Sequence, residues 1–202
     1  MAVREPRPDT GTIQETLWSV WPTWESWTWP GRKGKAIEVE VYSRCPKVRL
    51  YLNGTIVGEK SCTEAEEFKA TFTLPYVPGE LKAVGVGSGD SAVLKTAGDP
   101  VAIRLSADRK MLAADGQDLS YVAVEIVDKD GVTDPNADRR LVFSIEGPAV
   151  LAGVGNGDPR DTDSYVGNTR KAWHGRALAV IRSTRGTGKI TLSVTGDGLK
   201  KK

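Results

Sequence analysis

Apolar and polar residues alternate along most of this chain with a period of two. Val48, Leu50 and Leu52 alternate with Arg49 and Tyr51, Asn53-Gly54 turns the chain, and Ile56-Val57 resume. Such alternation closed by Asn-Gly predicts a β-hairpin, because a type I′ turn needs two residues that tolerate positive φ. The same pattern predicts strands over 36–43, 47–53, 55–61, 67–74, 80–87 and 91–96. A second set follows over 101–107, 120–128, 139–146, 149–154, 177–183 and 189–194. In this second set Val122, Val124 and Ile126 line one face of their strand. No helical period competes, so the fold class is all-β: two tandem immunoglobulin-like β-sandwich domains.

Residues 1–17 are polar with two prolines and read as a linker. Residues 18–98 read as an aromatic segment leading into the first sandwich, and 99–202 as the second sandwich with a short basic tail. Gly98-Asp99-Pro100 marks the boundary between the two, since a residue before Pro avoids the helical region. A length of 202 residues suits two bodies of roughly 100 each. Residues 153–168 form a Gly- and Asp-rich loop, longer than a connection needs, of the kind that carries function on rigid β scaffolds.

Charge excludes one class of partner. The 28 basic and 26 acidic residues give a net charge of +2 and are interspersed, whereas a nucleic-acid binder concentrates its basic residues on one face. No apolar run approaches the roughly 20 residues that cross a bilayer, and residues 1–10 lack the apolar core of a signal peptide. Neither nucleic acid nor membrane insertion is therefore expected.

Counted outward from a two-residue Asn53-Gly54 turn, Cys45 faces Cys62 at a position where Cα atoms approach to about 4.5 Å. A disulfide is one reading of the pair. The other is two separate buried thiols, with Pro46 ending the ladder first. An oxidised pair would point to an export compartment.

Most catalytic chemistry finds no material here. One His and two Cys do not make a zinc site. His174, in Trp173-His174-Gly175-Arg176, reads as a turn histidine rather than a member of a triad. Asp128-Lys129-Asp130-Gly131 and residues 156–163 are rich in oxygen but lack the spacing of a calcium loop, so turn chemistry is the expectation for both. No cofactor or metal is expected. Sugar recognition is the remaining chemistry, since pyranose C–H faces stack on aromatic rings and hydroxyls bond to Asp, Asn and Arg. Five of the six tryptophans, Trp18, Trp21, Trp24, Trp27 and Trp29, fall in residues 18–29. They are candidates for domain docking or for sugar contact, and Asn156, Asp158 and Trp173 are further sugar-contact candidates.

One family shares these motifs. Ser26-Trp27-Thr28-Trp29-Pro30-Gly31, then Gly34-Lys35, a strand and the hairpin at 50–58, resembles the C-terminal region of glycoside hydrolase family 2, the bacterial β-galactosidase-like enzymes. Ser26 stands where that family often has His. Pro78-Gly79-Glu80-Leu81-Lys82-Ala83 continues the likeness. So do Ile103-Arg104-Leu105, Asp108-Arg109, residues 114–119, 127–131 and 153–159, and Gly175-Arg176-Ala177. The family hydrolyses β-glycosides with retention, using two glutamates on a TIM barrel. That barrel alone takes about 250 residues, and the Asn-Glu pair preceding its acid/base does not occur here. The resemblance thus implies a non-catalytic accessory region of a larger periplasmic or extracellular enzyme, with the catalytic barrel as its partner. An autonomous carbohydrate-binding module and a structural spacer are the alternatives.

Overall fold

The structure, a computed structural model, describes residues 1–8, 10–12, 14, 16–17 and 21–200. Trp18 and the last two tail residues, Lys201 and Lys202, lie outside the described residues. Strands and turns dominate, with no α-helix among the described residues. The chain divides into two compact units, Met1–Thr96 and Ala97–Lys202. The division falls just before Gly98 because side chains tie the two flanks to different bodies. Thr96 Oγ1 donates to the carbonyl of Trp27 at 2.6 Å, whereas the Gly98 N–H donates to Asp128 at 2.8 Å.

The first unit contains β1 (Ala2–Arg4), β2 (Thr23–Trp24), β3 (Ala36–Tyr42), β4 (Lys47–Leu52), β5 (Thr55–Ser61), β6 (Lys69–Pro75), β7 (Glu80–Gly85) and β8 (Ser91–Lys95), with a 3-10 turn at Glu64–Glu66. One antiparallel sheet runs β2-β1-β3-β6 and the other β5-β4-β7-β8. Their inner faces meet in one core, with Val39 and Phe72 from the first sheet and Val48, Leu50 and Leu81 from the second. Each of these five is at most 3% exposed.

The linker reading of 1–17 is corrected at its start. Ala2–Arg4 is a strand paired with β3, and Val3 is fully buried. Three residues carry no visible periodicity, so only the tertiary ladder reveals them. Arg4 then neutralises Glu38, at 2.6 Å, and the buried Glu40. Burial alone would raise the Glu40 pKa, but hydrogen bonds from Tyr42 and Arg4 outweigh it and hold the carboxylate below its usual range.

The hairpin forms at Asn53-Gly54, with φ of 50° and 80°, but its register is not uniform. Tyr51 faces Ile56 whereas Leu50 faces Gly58, so Val57 is the extra residue of a bulge. A one-residue slip changes which side chains oppose each other, and the ladder ends at the pair Lys47–Ser61. This overturns the disulfide: Cys45 and Cys62 are free. Cys62 is sealed in the core with Sγ 3.4 Å from the Ser43 carbonyl, and Cys45 Sγ lies 3.1 Å from Ser88 Oγ.

The second unit contains β9 (Ala102–Ala107), β10 (Leu119–Val127), β11 (Arg140–Glu146), β12 (Ala149–Gly155), β13 (Thr169–Lys171), β14 (Arg176–Ser183) and β15 (Thr191–Gly196). Its antiparallel sheets run β12-β14-β10-β9 and β13-β11-β15. Ile103, Val122 and Val124 of the first pack with Leu141, Phe143 and Val194 of the second. The alternation seen along β10 therefore has its inward face in this core and Tyr121, Ala123 and Glu125 on the outside.

Candidate functional site

The described part of the aromatic segment, residues 21–29, is absorbed into the first sandwich. Trp27 is fully buried. Its indole N–H donates to the Val77 carbonyl at 3.0 Å, and its ring meets Tyr76 edge-on with centroids 5.0 Å apart. Its own carbonyl accepts from Thr96 Oγ1. A tryptophan so enclosed contributes about 4–6 kcal/mol by area, and it is unavailable to a sugar or a docking partner. Trp29 packs half-buried on the same core and its backbone N–H donates to Tyr76 Oη at 3.2 Å. Trp21 and Trp24 are half-buried, and both indole N–H groups point at Glu5. One reaches its carbonyl at 2.6 Å and the other its carboxylate at 2.8 Å. The four described tryptophans of this segment are thus divided between the core and the neighbourhood of the strand pair β1–β2, not gathered on one outer face.

The long loop of the second unit is organised by a residue that periodicity did not single out. Arg170, on β13, is fully buried. Its guanidinium donates to Asp161 Oδ2 at 2.8 Å and to the carbonyls of Val154, Asp163 and Ser164 at 3.0, 3.2 and 2.9 Å, while the Tyr165 ring lies 4.8 Å away. The planar fork of Arg suits several convergent acceptors where Lys would not. Asn156 closes the same loop, donating to Asp161 at 2.6 Å and to the Lys171 carbonyl at 3.0 Å. The Val154 N–H donates to the Tyr165 carbonyl at 2.9 Å. The loop therefore covers the edge of β12, which would otherwise expose unpaired backbone groups.

Asp158 faces its neighbour Arg160, whose side chain, then backbone, lowers the carboxyl pKa. Asp161 is likewise lowered, by the Asp163 N–H and then by Arg170. Trp173 meets His174 edge-on at 4.4 Å. His174 (φ 50°) and Gly175 (φ 70°) form the two-residue turn between the paired Trp173 and Arg176. The sequence grouped Asn156, Asp158 and Trp173 as ligand contacts. The structure engages the polar groups of Asn156 and Asp158 in contacts within the loop and with the Lys171 carbonyl of β13. A signal for Arg170 was present in principle, since an Arg next to a Gly/Asp-rich loop supplies the donors such a loop needs.

Two further charged groups stand out. Asp128, 5% exposed, accepts from the N–H groups of Gly98, Asp130 and Val132 at 2.8–2.9 Å. Burial opposes its ionisation, but these three donors prevail and its pKa is lowered. The oxygens offered to a cation by sequence are thus engaged by the turn itself. On the outer sheet face Arg104 pairs with Glu125 at 2.7 Å, and Arg176 approaches the same carboxylate at 3.5 Å. Burial again works against the net lowering of the Glu125 pKa, which Arg104 and Thr133 bring about by hydrogen bonding.

Comparison with known proteins matches both units. Residues 103–202 match the glycoside hydrolase family 2 C-terminal domain 5, and residues 34–94 match a domain of unknown function (DUF4982). The chain is 34% identical to a Bacteroides ovatus β-galactosidase, BoGH2A, over 90% of this chain and 21% of that protein. It is 28% identical to a Formosa agariphila β-glucuronidase over 85% of this chain and 18% of that protein. A solved glycosyl hydrolase family 2 member from Bacteroides cellulosilyticus superposes with a TM-score of 0.89 at 38% identity, over all of this chain and 27% of that one. The chain spans about a fifth of the curated relatives it matches. With both sandwiches matched in order, it belongs to the C-terminal accessory domains of the β-galactosidase- and β-glucuronidase-like enzymes of glycoside hydrolase family 2.

Proposed function

We propose that this chain serves as the non-catalytic C-terminal region of an exported β-galactosidase-like retaining glycosidase, where it packs beside the catalytic barrel and shapes substrate access. The observation that carries this reading is coverage: both units align end to end with a segment occupying roughly a fifth to a quarter of much longer glycosidases. Trp27 is enclosed, and Trp21 and Trp24 bond to Glu5. The contact surface we assign to the barrel therefore lies outside these tryptophans, on the second unit. On the outer face of β12-β14-β10-β9, Tyr121, Val150 and Leu178 stay 45%, 38% and 37% exposed. Rows of apolar side chains on a sheet face are what a neighbouring body covers.

The test is to mix this chain with the separately produced catalytic portion. A complex is expected, together with a change in turnover of polymeric substrate, and Tyr121→Glu with Leu178→Glu should weaken it. Absence of both complex and activity change would sink the docking role. Reproducible turnover of a chromogenic glycoside by the chain alone would sink the non-catalytic role.

A further inference from the structure

A strained corner of the first unit holds Phe68 in solvent. Glu67 and Phe68 both have φ of 55°, in the left-handed region, directly after the 3-10 turn. A bulky residue there is an outlier, and strain of this kind persists only where the surroundings over-determine it. Here they do. The Thr63 N–H and Oγ1 both donate to Glu66 Oε2, at 2.9 and 2.7 Å, and the Phe68 N–H donates back to the Thr63 carbonyl at 2.8 Å. A glycine would relax this turn, yet the chain places Phe68 in it and leaves the ring 46% exposed.

Across the sheet, the Ser43 N–H donates to the Phe68 carbonyl at 3.1 Å. The preceding residue, Tyr42, is 55% exposed, and its hydroxyl is tethered to Glu40. Tyr42 and Phe68 line an open cleft of about 530 Å³ together with Ser43, Arg44 and Glu67. Neither the Arg44 guanidinium nor the Glu67 carboxylate has an ion pair or side-chain hydrogen bond among the described residues.

We infer that Tyr42 and Phe68 form a sugar-binding platform, with Arg44 and Glu67 bonding the hydroxyls of a pyranose stacked on the rings. Two exposed aromatic residues lining one cleft beside an uncommitted donor set and acceptor pair match the C–H face and polar rim of such a ligand. A protein partner is the poorer fit, since its interface takes some 20–30 residues a side with charge depleted at the centre. This site is separate from the tryptophans and from the loop at 156–168. It is also independent of the accessory reading, because the chain alone carries it.

The experiment is titration of the 15N-labelled chain with lactose, cellobiose and xylobiose, followed by amide chemical shifts. Saturable shifts confined to residues 42–44 and 67–69 are expected with at least one sugar. Tyr42→Ala and Phe68→Ala should each weaken that binding by about tenfold or more, while Trp173→Ala leaves it unchanged. Phe68→Gly separates the site from the fold: binding is lost while the melting midpoint rises by a few degrees, because glycine accepts the positive φ. No saturable shift at these amides with millimolar sugar, unchanged affinity in both alanine variants, or a lowered melting midpoint in Phe68→Gly would overturn the assignment.

Discussion

The side-chain oxygen of Asn53 occupies the space that a β-carbon on Gly79 would need. Asn53 Oδ1 accepts from the Glu80 N–H at 2.8 Å and Nδ2 donates to the Pro78 carbonyl at 3.1 Å. The Asn-Gly residue thus turns its own hairpin and also locks the corner before β7. Gly79 has φ of 135°, which side chains disfavour. Gly79→Ala is expected to destabilise by about 2–4 kcal/mol through overpacking and strain. Asn53→Ala should cost about 1–3 kcal/mol through the lost bonds. The double variant should cost less than their sum, because removing Asn53 removes the collision. Urea unfolding of the three variants measures the coupling.

Trp27 should be the tryptophan whose loss matters most to folding. Trp27→Ala is expected to cost about 3–5 kcal/mol, as for other buried large-to-small changes. Trp21→Ala and Trp24→Ala each remove a half-buried ring and one indole hydrogen bond, and should cost about 1–2 kcal/mol. Equal losses in all three would contradict the packing described for the segment.

Arg170→Met should release the loop at 156–168. The substitution leaves Asp161 and three carbonyls without their shared donor, and breaking a buried ion pair costs about 3–5 kcal/mol. Limited thermolysin digestion, with mass analysis of the fragments, should show new cleavage within the loop. A digestion pattern identical to that of the parent chain would mean that the loop holds itself.

Acid should weaken the second unit through Asp128. Its folded pKa lies below the unfolded value of about 3.9, so its contribution is fully present well above pH 4. It is lost as pH falls through the folded pKa. Asp128→Asn keeps the shape but removes the titration, so its stability should fall less steeply between about pH 5 and pH 2 than that of the parent chain. Parallel slopes in pH-dependent melting would assign the effect to other carboxylates.

The two thiols should differ in access. Cys45 is half-buried and Cys62 fully buried. A maleimide should label one site in the native chain and the second only after unfolding. Labelling of neither thiol in denaturant without reductant would restore the disulfide.

Strand alternation, Asn53-Gly54 and the His174-Gly175 turn were legible in the sequence because each is a local rule. A strand shows its inner face every second residue, and a type I′ turn needs its two residues wherever it occurs. What the sequence could not reveal depends on residues distant along the chain. The bulge at Val57 shifts the register so that Cys62 falls beside Pro46 and not Cys45, and Ala2–Arg4 becomes a strand only because β3 offers it an edge. The tryptophans look alike in composition, yet Val77 and Tyr76 seal Trp27 while Glu5 holds Trp21 and Trp24. The sequence by itself determined that this protein is two β-sandwiches with the motifs of its family. Tertiary structure decided which polar groups meet, because burying Arg170 or Asp128 becomes favourable only once the backbone has brought their partners within hydrogen-bond reach.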